Sequence, residues 1–225
     1  MIRVQNLKYQ YAESGPILRG LNYEQADGAS VALLGPNGSG KTTFALHLNG
    51  ILLGDGLVEV CGIKVSAETL EQVRQRVGFV FQAAENQLFL PTVLEDVMFG
   101  LLNQGVPAEK ARQQALEILA RLHLDNYTDR NPFHLSAGEK RRAALAGVLV
   151  MEPDILILDE PTTFLDPPGI RDLAALLNSF RMTKLVITHD AKFAEVTCPE
   201  AVFFEQGEII ARGPTAEVLT MQNWR

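Results

Sequence analysis

One glycine-rich stretch constrains this chain more than any other feature, and it reads Gly35-Pro36-Asn37-Gly38-Ser39-Gly40-Lys41-Thr42-Thr43. It fits the pattern G-x-x-x-x-G-K-[ST], which carries meaning only between a strand and a helix. The apolar residues 30–34 suit a buried parallel strand, and residues 43–53 suit a helix that ends before Gly54. The alternative is a glycine-rich turn without a ligand, and the full pattern in this context favours a phosphate-binding loop.

The chemistry of such a loop follows from its backbone. Glycines let successive N–H groups point inward as a nest for anions, and the helix N-terminus adds partial positive charge. We expect Lys41 to reach the β- and γ-phosphates of a nucleotide, and the Thr42 hydroxyl to ligate Mg²⁺. Thr43 is positioned to bond the α-phosphate.

Two carboxylates, Asp159 and Glu160, directly follow the apolar run at residues 155–158. This run predicts a central parallel strand, and ligands bind at the carboxyl ends of such strands. Asp159 fits a residue that holds Mg²⁺, and Glu160 one that orients the attacking water. The alternative is that both are exposed acids in a loop without a function. The presence of a phosphate-binding loop in the same chain disfavours this alternative.

Three further side chains are candidates for the same site. Gln82 ends the predicted strand at residues 77–81, and its amide oxygen can complete Mg²⁺ coordination. His189 ends the strand at residues 184–188, where a neutral imidazole can hydrogen-bond the γ-phosphate. Tyr11 precedes a loop and can either pack on the sheet or stack on an adenine ring.

The remaining pattern divides the chain into a β-rich N-terminal part, a helical part and an α/β part. Residues 2–33 alternate as half-buried strands, whereas residues 93–102 and 108–122 show helical periodicity without a strand. Residues 136–150 predict a helix that begins near Ser136. We predict one domain over 1–225, with an α/β core and β subdomain at 1–82 and 136–225 and a helical subdomain at 83–135.

Composition excludes several classes of protein. The net charge of −7 argues against a nucleic-acid binder that works by general electrostatics. The longest apolar run, residues 143–151, is too short to span a bilayer, so other chains must supply any membrane part. Cys61 and Cys198 have no metal-ligand spacing, and we expect buried free thiols in a reducing compartment.

Taken in order, these residues resemble the ATP-binding cassette (ABC) ATPases over nearly the whole chain. The elements that carry the resemblance are Tyr11 as the adenine-stacking aromatic, Gly35 to Thr43 as Walker A, Gln82 as the Q-loop, Leu135-Ser136-Ala137-Gly138-Glu139 as the signature, Asp159 and Glu160 as Walker B with the catalytic glutamate, Leu165-Asp166 as the D-loop, and His189 as the switch histidine. Read locally, residues 135–139 indicate only a helix N-cap, and they acquire a function through the resemblance alone.

The resemblance implies an α/β fold of the P-loop NTPase, ABC type, with a mainly parallel core sheet, an N-terminal antiparallel β subdomain and a helical subdomain. It implies ATP hydrolysis with ATP and Mg²⁺, with Lys41, Glu160 and His189 as catalytic residues. A second ABC protomer, identical or different, would present Ser136, Gly138, Glu139 and Asp166 to the ATP of the first. Ala137, Glu139 and Phe164 depart from the general pattern.

A finer resemblance concerns residues 81–89, which read Phe-Gln-Ala-Ala-Glu-Asn-Gln-Leu-Phe. They resemble the Q-loop of energy-coupling factor (ECF) importer ATPases, a group that includes cobalt, nickel and vitamin importers. Ala83 and Ala84 replace the usual Asn-Pro. The resemblance implies a transmembrane coupling protein and a substrate-binding membrane protein as partners, a peripheral location on the cytoplasmic side of the membrane, and a groove for a coupling helix near Phe81, Phe89 and Phe99.

Four other functions compete with this one. An ABC ATPase of repair or translation would carry a coiled coil, a second cassette or basic extensions, and an ABC importer of another subgroup would lack the ECF-like Q-loop. A P-loop nucleotide kinase would leave residues 135–139 unexplained. A non-catalytic regulatory subunit is disfavoured by the intact Glu160 and His189.

Overall fold

A computed structural model describes residues 1–12 and 15–224 as an α/β fold built on two sheets. The ten strands of the described residues are β1 (Ile2–Gln10), β2 (Pro16–Gln25), β3 (Ser30–Leu34), β4 (Asp55–Val60), β5 (Ile63–Lys64), β6 (Val77–Val80), β7 (Ile155–Asp159), β8 (Thr183–Ile187), β9 (Glu200–Glu205) and β10 (Glu208–Pro214). The α-helices are α1 (Lys41–Leu48), α2 (Leu70–Arg76), α3 (Val93–Asn103), α4 (Ala108–Arg121), α5 (Ala137–Leu149), α6 (Pro167–Ser179), α7 (Ala191–Thr197) and α8 (Thr215–Met221).

The first sheet is antiparallel, with the strand order β2-β1-β4-β5. Ile2 pairs with both Gln25 and Val60, and Val4 pairs with Tyr23 and Val58. Alternate residues of β1 are buried, which is the burial expected for strands with one face on the core. The predicted N-terminal antiparallel β region is therefore confirmed.

The second sheet has the order β10-β9-β3-β8-β7-β6, and only β10 runs antiparallel to its neighbour. Strands β6, β7 and β8 are buried at every position, because helices or the first sheet cover both faces. Strands β3, β6, β7 and β8 all run parallel, so the residues that follow each of them lie at the same edge of the sheet. That edge is where the predicted phosphate and metal residues lie.

The helical segment between β6 and β7 packs on the same core. Thr92 and Glu95 form a reciprocal capping box at the start of α3, and α4 buries one apolar stripe. Both helices contribute to the hydrophobic cluster that contains Ala32 of β3 and Leu158 of β7. No helix in the described ranges is long and apolar enough to cross a membrane.

Three expectations differ from the structure. Helix α1 ends at Leu48 instead of residue 53, because Gly50 takes a left-handed φ of 68° and the chain turns there. Helix α7 had not been expected; it starts at an N-cap formed by Asp190, whose side chain accepts from the N–H of Phe193 at 3.0 Å. Cys198 is a buried free thiol as expected, whereas Cys61 is only half-buried.

Candidate functional site

A cavity of about 470 Å³ opens at the carboxyl ends of the parallel strands. It is lined by the phosphate loop and by all the other side chains that the sequence predicts for one nucleotide site within one chain, namely Tyr11, Gln82, Asp159, Glu160 and His189. These residues come from five separate segments of the chain. Their convergence is the main structural observation about function.

The loop between β3 and α1 is shaped by backbone conformations that only glycine adopts freely. Gly35 has φ 131°, and a Cβ added there would overlap the carbonyl oxygen of Phe204. Gly40 has φ 103° and is the N-cap of α1 without a side-chain cap. The first N–H groups of α1 have no intrahelical acceptor, and the Ser39 hydroxyl is buried without a partner. These unmet polar groups fit a bound phosphate chain.

Lys41 is the buried cation of the loop. Its ammonium donates to the carbonyl oxygens of Gly35 at 2.7 Å and Pro36 at 2.9 Å, so it lies folded against the loop. Burial lowers the pKa of Lys41, and the nearby carboxylates of Glu160 and Asp159 oppose that effect. The polyphosphate of a nucleotide would supply further negative charge and would stabilise the charged lysine.

The side chains that are suited to bind Mg²⁺ come from distant parts of the sequence and line the same cavity. The Thr42 hydroxyl donates to Oδ2 of Asp159 at 2.9 Å, although 116 residues separate them. Gln82 lines the same cavity. A hydroxyl, a carboxylate and an amide oxygen are hard oxygen ligands, which suit Mg²⁺ when substrate phosphates complete the shell. Burial raises the pKa of Asp159, and the bond from Thr42 acts in the opposite direction.

Glu160 and His189 form a hydrogen-bonded pair beside these residues. Nδ1 of His189 lies 2.8 Å from Oε2 of Glu160. The imidazole is 65% exposed, whereas the glutamate side chain is 10% exposed. Glu160 has a left-handed φ of 46°, and its N–H donates to the carbonyl of Ile187 at 2.9 Å. A carboxylate in this strained position, held by a bond to a neighbouring strand, is typical of a functional site.

Tyr11 is a further lining residue of the cavity. Its ring packs edge-to-face on Tyr9 at 5.0 Å, and its hydroxyl lies 3.4 Å from that of Thr43. The side chain is 41% exposed. Tyr11 thus packs on a neighbour and also lines the cavity, and its stacking on an adenine ring stays a prediction.

The signature residues do not lie in this cavity. Ser136 is the N-cap of α5 and forms a capping box with Glu139, with a 2.7 Å bond from the Ser136 N–H to the glutamate. Hydrogen bonds from Tyr127 and then Ser136 lower the pKa of Glu139. Gly138 lines a different cavity, and Asp166 caps α6 by accepting from Gly169 at 2.9 Å.

Two apolar residues of the cavity wall had not been predicted. Ile17 lies on β2 and Ile187 ends β8. Ile187 offers a weak signal in the sequence, because it lies two residues before His189 at the end of the same strand. Arg141 on α5, which is outside the predicted site residues, is 4% exposed and donates to the carbonyl oxygens of Phe81 and Thr163.

Comparison with known proteins identifies the family. The family model described as ABC transporter matches residues 18–163, which is more than half of the chain. The chain belongs to the ABC transporter family. The energy-coupling factor transporter ATP-binding protein EcfA of Methanothermobacter thermautotrophicus is 41% identical over 224 residues, which cover 97% of this chain and 72% of the relative.

Solved ABC structures agree with this assignment. The structure of cbiO1 from Clostridium perfringens, described as part of the ABC transporter complex cbiONQ, superposes with a TM-score of 0.88 at 35% identity, over 98% of this chain and 91% of that chain. A dimeric ATP-binding cassette in a post-hydrolysis state, bound to ADP and Pi, superposes with a TM-score of 0.86 at 28% identity. The superposition covers 96% of this chain and 99% of that chain.

The resemblance to ABC proteins, and to ECF ATPases within them, is thereby confirmed, as is the ABC-type P-loop fold. The chain is an ATPase of this family, because it carries the family's ATP-binding domain, matches an ATP-binding relative along nearly its whole length and has the fold of a cassette solved after hydrolysis.

Proposed function

We propose that this ABC protein is the ATP-hydrolysing subunit of an ECF-type importer. It would power uptake of a micronutrient, either a transition-metal ion such as cobalt or nickel or a vitamin, through partner membrane subunits. The observation that carries the proposal is the meeting of the phosphate loop, Asp159, Glu160 and His189 at one cavity. The identity to EcfA and the likeness to cbiO1, together with the Q-loop sequence, support the importer class.

In this proposal the phosphate loop binds the triphosphate of the nucleotide, with backbone N–H groups of residues 37–43 around the phosphates. Lys41 exchanges its two neutral acceptors, the carbonyl oxygens of Gly35 and Pro36, for negatively charged phosphate oxygens, so that both donor and acceptor carry charge. Tyr11 stacks on the adenine. Thr42, Asp159 and Gln82 would hold Mg²⁺, which would neutralise charge that develops on the transferred phosphoryl group.

Glu160 orients the attacking water and accepts its proton. The carboxylate is suited to this role because it is nearly buried and is fixed by His189 and by the strained backbone. His189, more exposed than its partner, hydrogen-bonds the γ-phosphate from the same side. Presence of the γ-phosphate is thereby linked to the orientation of the catalytic carboxylate.

One protomer holds an incomplete site in this proposal. Ser136, Gly138, Glu139 and Asp166 lie outside the cavity that contains Lys41. A second protomer in head-to-tail arrangement would bring its Ser136 hydroxyl and Gly138 N–H to the γ-phosphate. Two identical chains would form an isologous interface with two equivalent sites. The dimeric relative bound to ADP and Pi supports this arrangement.

The surface for the membrane partner is proposed at the start of the helical segment. Phe89 is 59% exposed and Phe99 is 41% exposed, and their rings meet edge-to-face at 5.1 Å. Phe81 instead packs on Phe79 at 4.5 Å and is a weaker candidate. Asp96 accepts from the N–H groups of Phe89 and Leu90 and so holds this aromatic pair in place.

The same proposal covers organisation and location. Residues 1–225 would act as one domain, with residues 1–82 and 136–225 forming the α/β core and β subdomain, and residues 83–135 forming a helical subdomain that meets the membrane protein. The chain would lie on the cytoplasmic side of the membrane as a peripheral subunit, without a nucleic-acid partner.

Affinity purification from native membranes tests the proposal, with mass spectrometry of the proteins that accompany the chain. We expect an ECF-type transmembrane protein and a small substrate-binding membrane protein, whose identity then narrows the substrate. Phe89→Ala should reduce capture of the transmembrane protein at least about tenfold, because buried aromatics dominate such interfaces. Met221→Ala is the matched control, since Met221 is 61% exposed but lies on α8. Recovery of ribosomal or DNA-repair proteins, without membrane proteins, would contradict the transport role.

A further inference from the structure

A buried cation lies behind the nucleotide cavity, on the helix that begins at Ser136. Arg141 is 4% exposed, and its guanidinium donates to the carbonyl oxygens of Phe81 at 3.3 Å and Thr163 at 3.2 Å. The two carbonyls belong to segments that follow different strands, β6 and β7. One planar guanidinium therefore joins three segments that are distant in sequence.

Each joined segment carries a residue of the proposed reaction. Phe81 directly precedes Gln82. Thr163 closes the turn that begins at Glu160, where its N–H donates to the Glu160 carbonyl at 3.2 Å. Helix α5 carries Ser136 at its N-cap, one and a half turns before Arg141.

Stability alone does not account for a cation at this position. Removing a guanidinium from water is costly, and apolar side chains of similar volume are often equally good or better in buried sites. Two backbone carbonyls can be satisfied by a planar fork with several donors, whereas the point charge of lysine contacts them less well. The arrangement suits a residue that sets geometry between segments.

We propose that Arg141 is a positioning residue that couples helix α5 to the Gln82 and Glu160 segments. When a second protomer contacts the N-terminus of α5 and displaces this helix, the guanidinium moves with the helix and shifts the two carbonyl groups that it binds. The Glu160 turn and the start of the Gln82 loop then move together with α5. This inference rests on the proposed roles of Ser136, Gln82 and Glu160.

The experiment compares wild type, Arg141→Met, Arg141→Lys and Lys140→Met in the full chain. Methionine keeps the length of the apolar stem and removes all donors, and lysine keeps the charge without the fork. Lys140 is the neighbouring cation on the same helix and is only half-buried, so its variant is the matched control. Nucleotide affinity is measured with a fluorescent ATP analogue, turnover by phosphate release, and local opening by hydrogen exchange of residues 82–88 and 160–166.

We expect Arg141→Met to leave nucleotide affinity within about threefold of wild type and to lower kcat at least about tenfold. Exchange should rise in the two named segments and not in α1. Arg141→Lys should recover part of kcat, and Lys140→Met should match wild type. If Arg141→Met does not fold, Arg141→Lys decides: a kcat equal to that of wild type would overturn the inference.

Two other outcomes would also overturn it. In one, Arg141→Met turns over ATP as fast as wild type. In the other, affinity and kcat fall by the same factor, which would make Arg141 a general support of the nucleotide site. A wild-type chain without ATPase activity in the same assay would instead refute the proposed roles of the cavity residues, so the two failures are distinguishable.

Discussion

Replacing Glu160 with glutamine tests the chemistry of the site most directly. The side chain is nearly buried, and Oε2 accepts from His189 at 2.8 Å. Glutamine has the same shape and its amide oxygen can accept the same bond. The substitution therefore removes a negative charge and a proton acceptor while it leaves the packing and the His189 contact in place.

The expected effects on turnover and on binding differ in size. Loss of a positioned base costs about 10²- to 10⁴-fold in rate, which is about 3 to 5 kcal/mol of activation free energy. The exchange of a charged for a neutral acceptor toward His189 costs about 1 kcal/mol of folding stability. ATP affinity should stay equal or increase, because a carboxylate near the γ-phosphate repels it and the amide does not.

The assay pairs phosphate release under saturating ATP with equilibrium binding of a fluorescent ATP analogue. Glu152→Gln is the matched control, because Glu152 shares the left-handed backbone, with φ 50° against 46°, but is exposed and distant from the cavity. A Glu160→Gln protein that retains turnover within about threefold of wild type would refute the assignment of Glu160 as the water-orienting residue.

Three further substitutions probe the loop, the metal acid and the second protomer. Gly35→Ala should destabilise the fold by at least about 3 kcal/mol in chemical denaturation, because the added Cβ would overlap the Phe204 carbonyl. Gly38→Ala is the control and should cost about 1 kcal/mol, because Gly38 has φ 78° but open space around it. Equal costs for the two variants would contradict this view of the loop. Burial raises the pKa of Asp159, so its contribution to stability is present below the unfolded pKa and is lost as pH rises through the folded pKa. Asp159→Asn should therefore raise the melting temperature of the nucleotide-free chain at pH 7 and abolish Mg²⁺-dependent turnover, and a lower melting temperature would contradict the sign. Ser136→Arg should reduce turnover at least about tenfold and spare ATP binding to the monomer, as measured by calorimetry; equal loss of both would show that Ser136 acts within its own protomer.

Much of the fold follows from local patterns in the sequence. The run at residues 155–158 is apolar throughout and that at 184–188 has an apolar centre at residues 185–187, and both became strands buried on both faces. Helix α5 spans Ala137–Leu149, close to the expected residues 136–150, whereas α1 is shorter than expected and α7 was overlooked. Helix α7 is seven residues long, so its periodicity is too brief to separate from a loop.

The candidate site was predictable to a similar extent. The phosphate loop specifies its own chemistry, because glycine spacing, lysine and threonine all lie within nine consecutive residues. Asp159, Gln82 and His189 were predicted from one rule, that residues after parallel strands share an edge. The sequence named Phe89 and Phe99 as candidates for the groove together with Phe81. It could not show that Phe89 and Phe99 are exposed, because the sequence does not distinguish exposed from buried phenylalanines.

The sequence by itself determined the family, the phosphate loop and the strands that deliver the acids. The tertiary structure alone decided that Thr42 bonds Asp159, that Glu160 bonds His189, that Ser136 stands outside the cavity and that Arg141 is buried. The physical reason is that helix and strand patterns are set by neighbours within a few residues, whereas these contacts depend on the order of strands in the sheet. Strand β3 lies between β8 and β9, and β7 lies between β6 and β8, an order that arises only when the whole core packs.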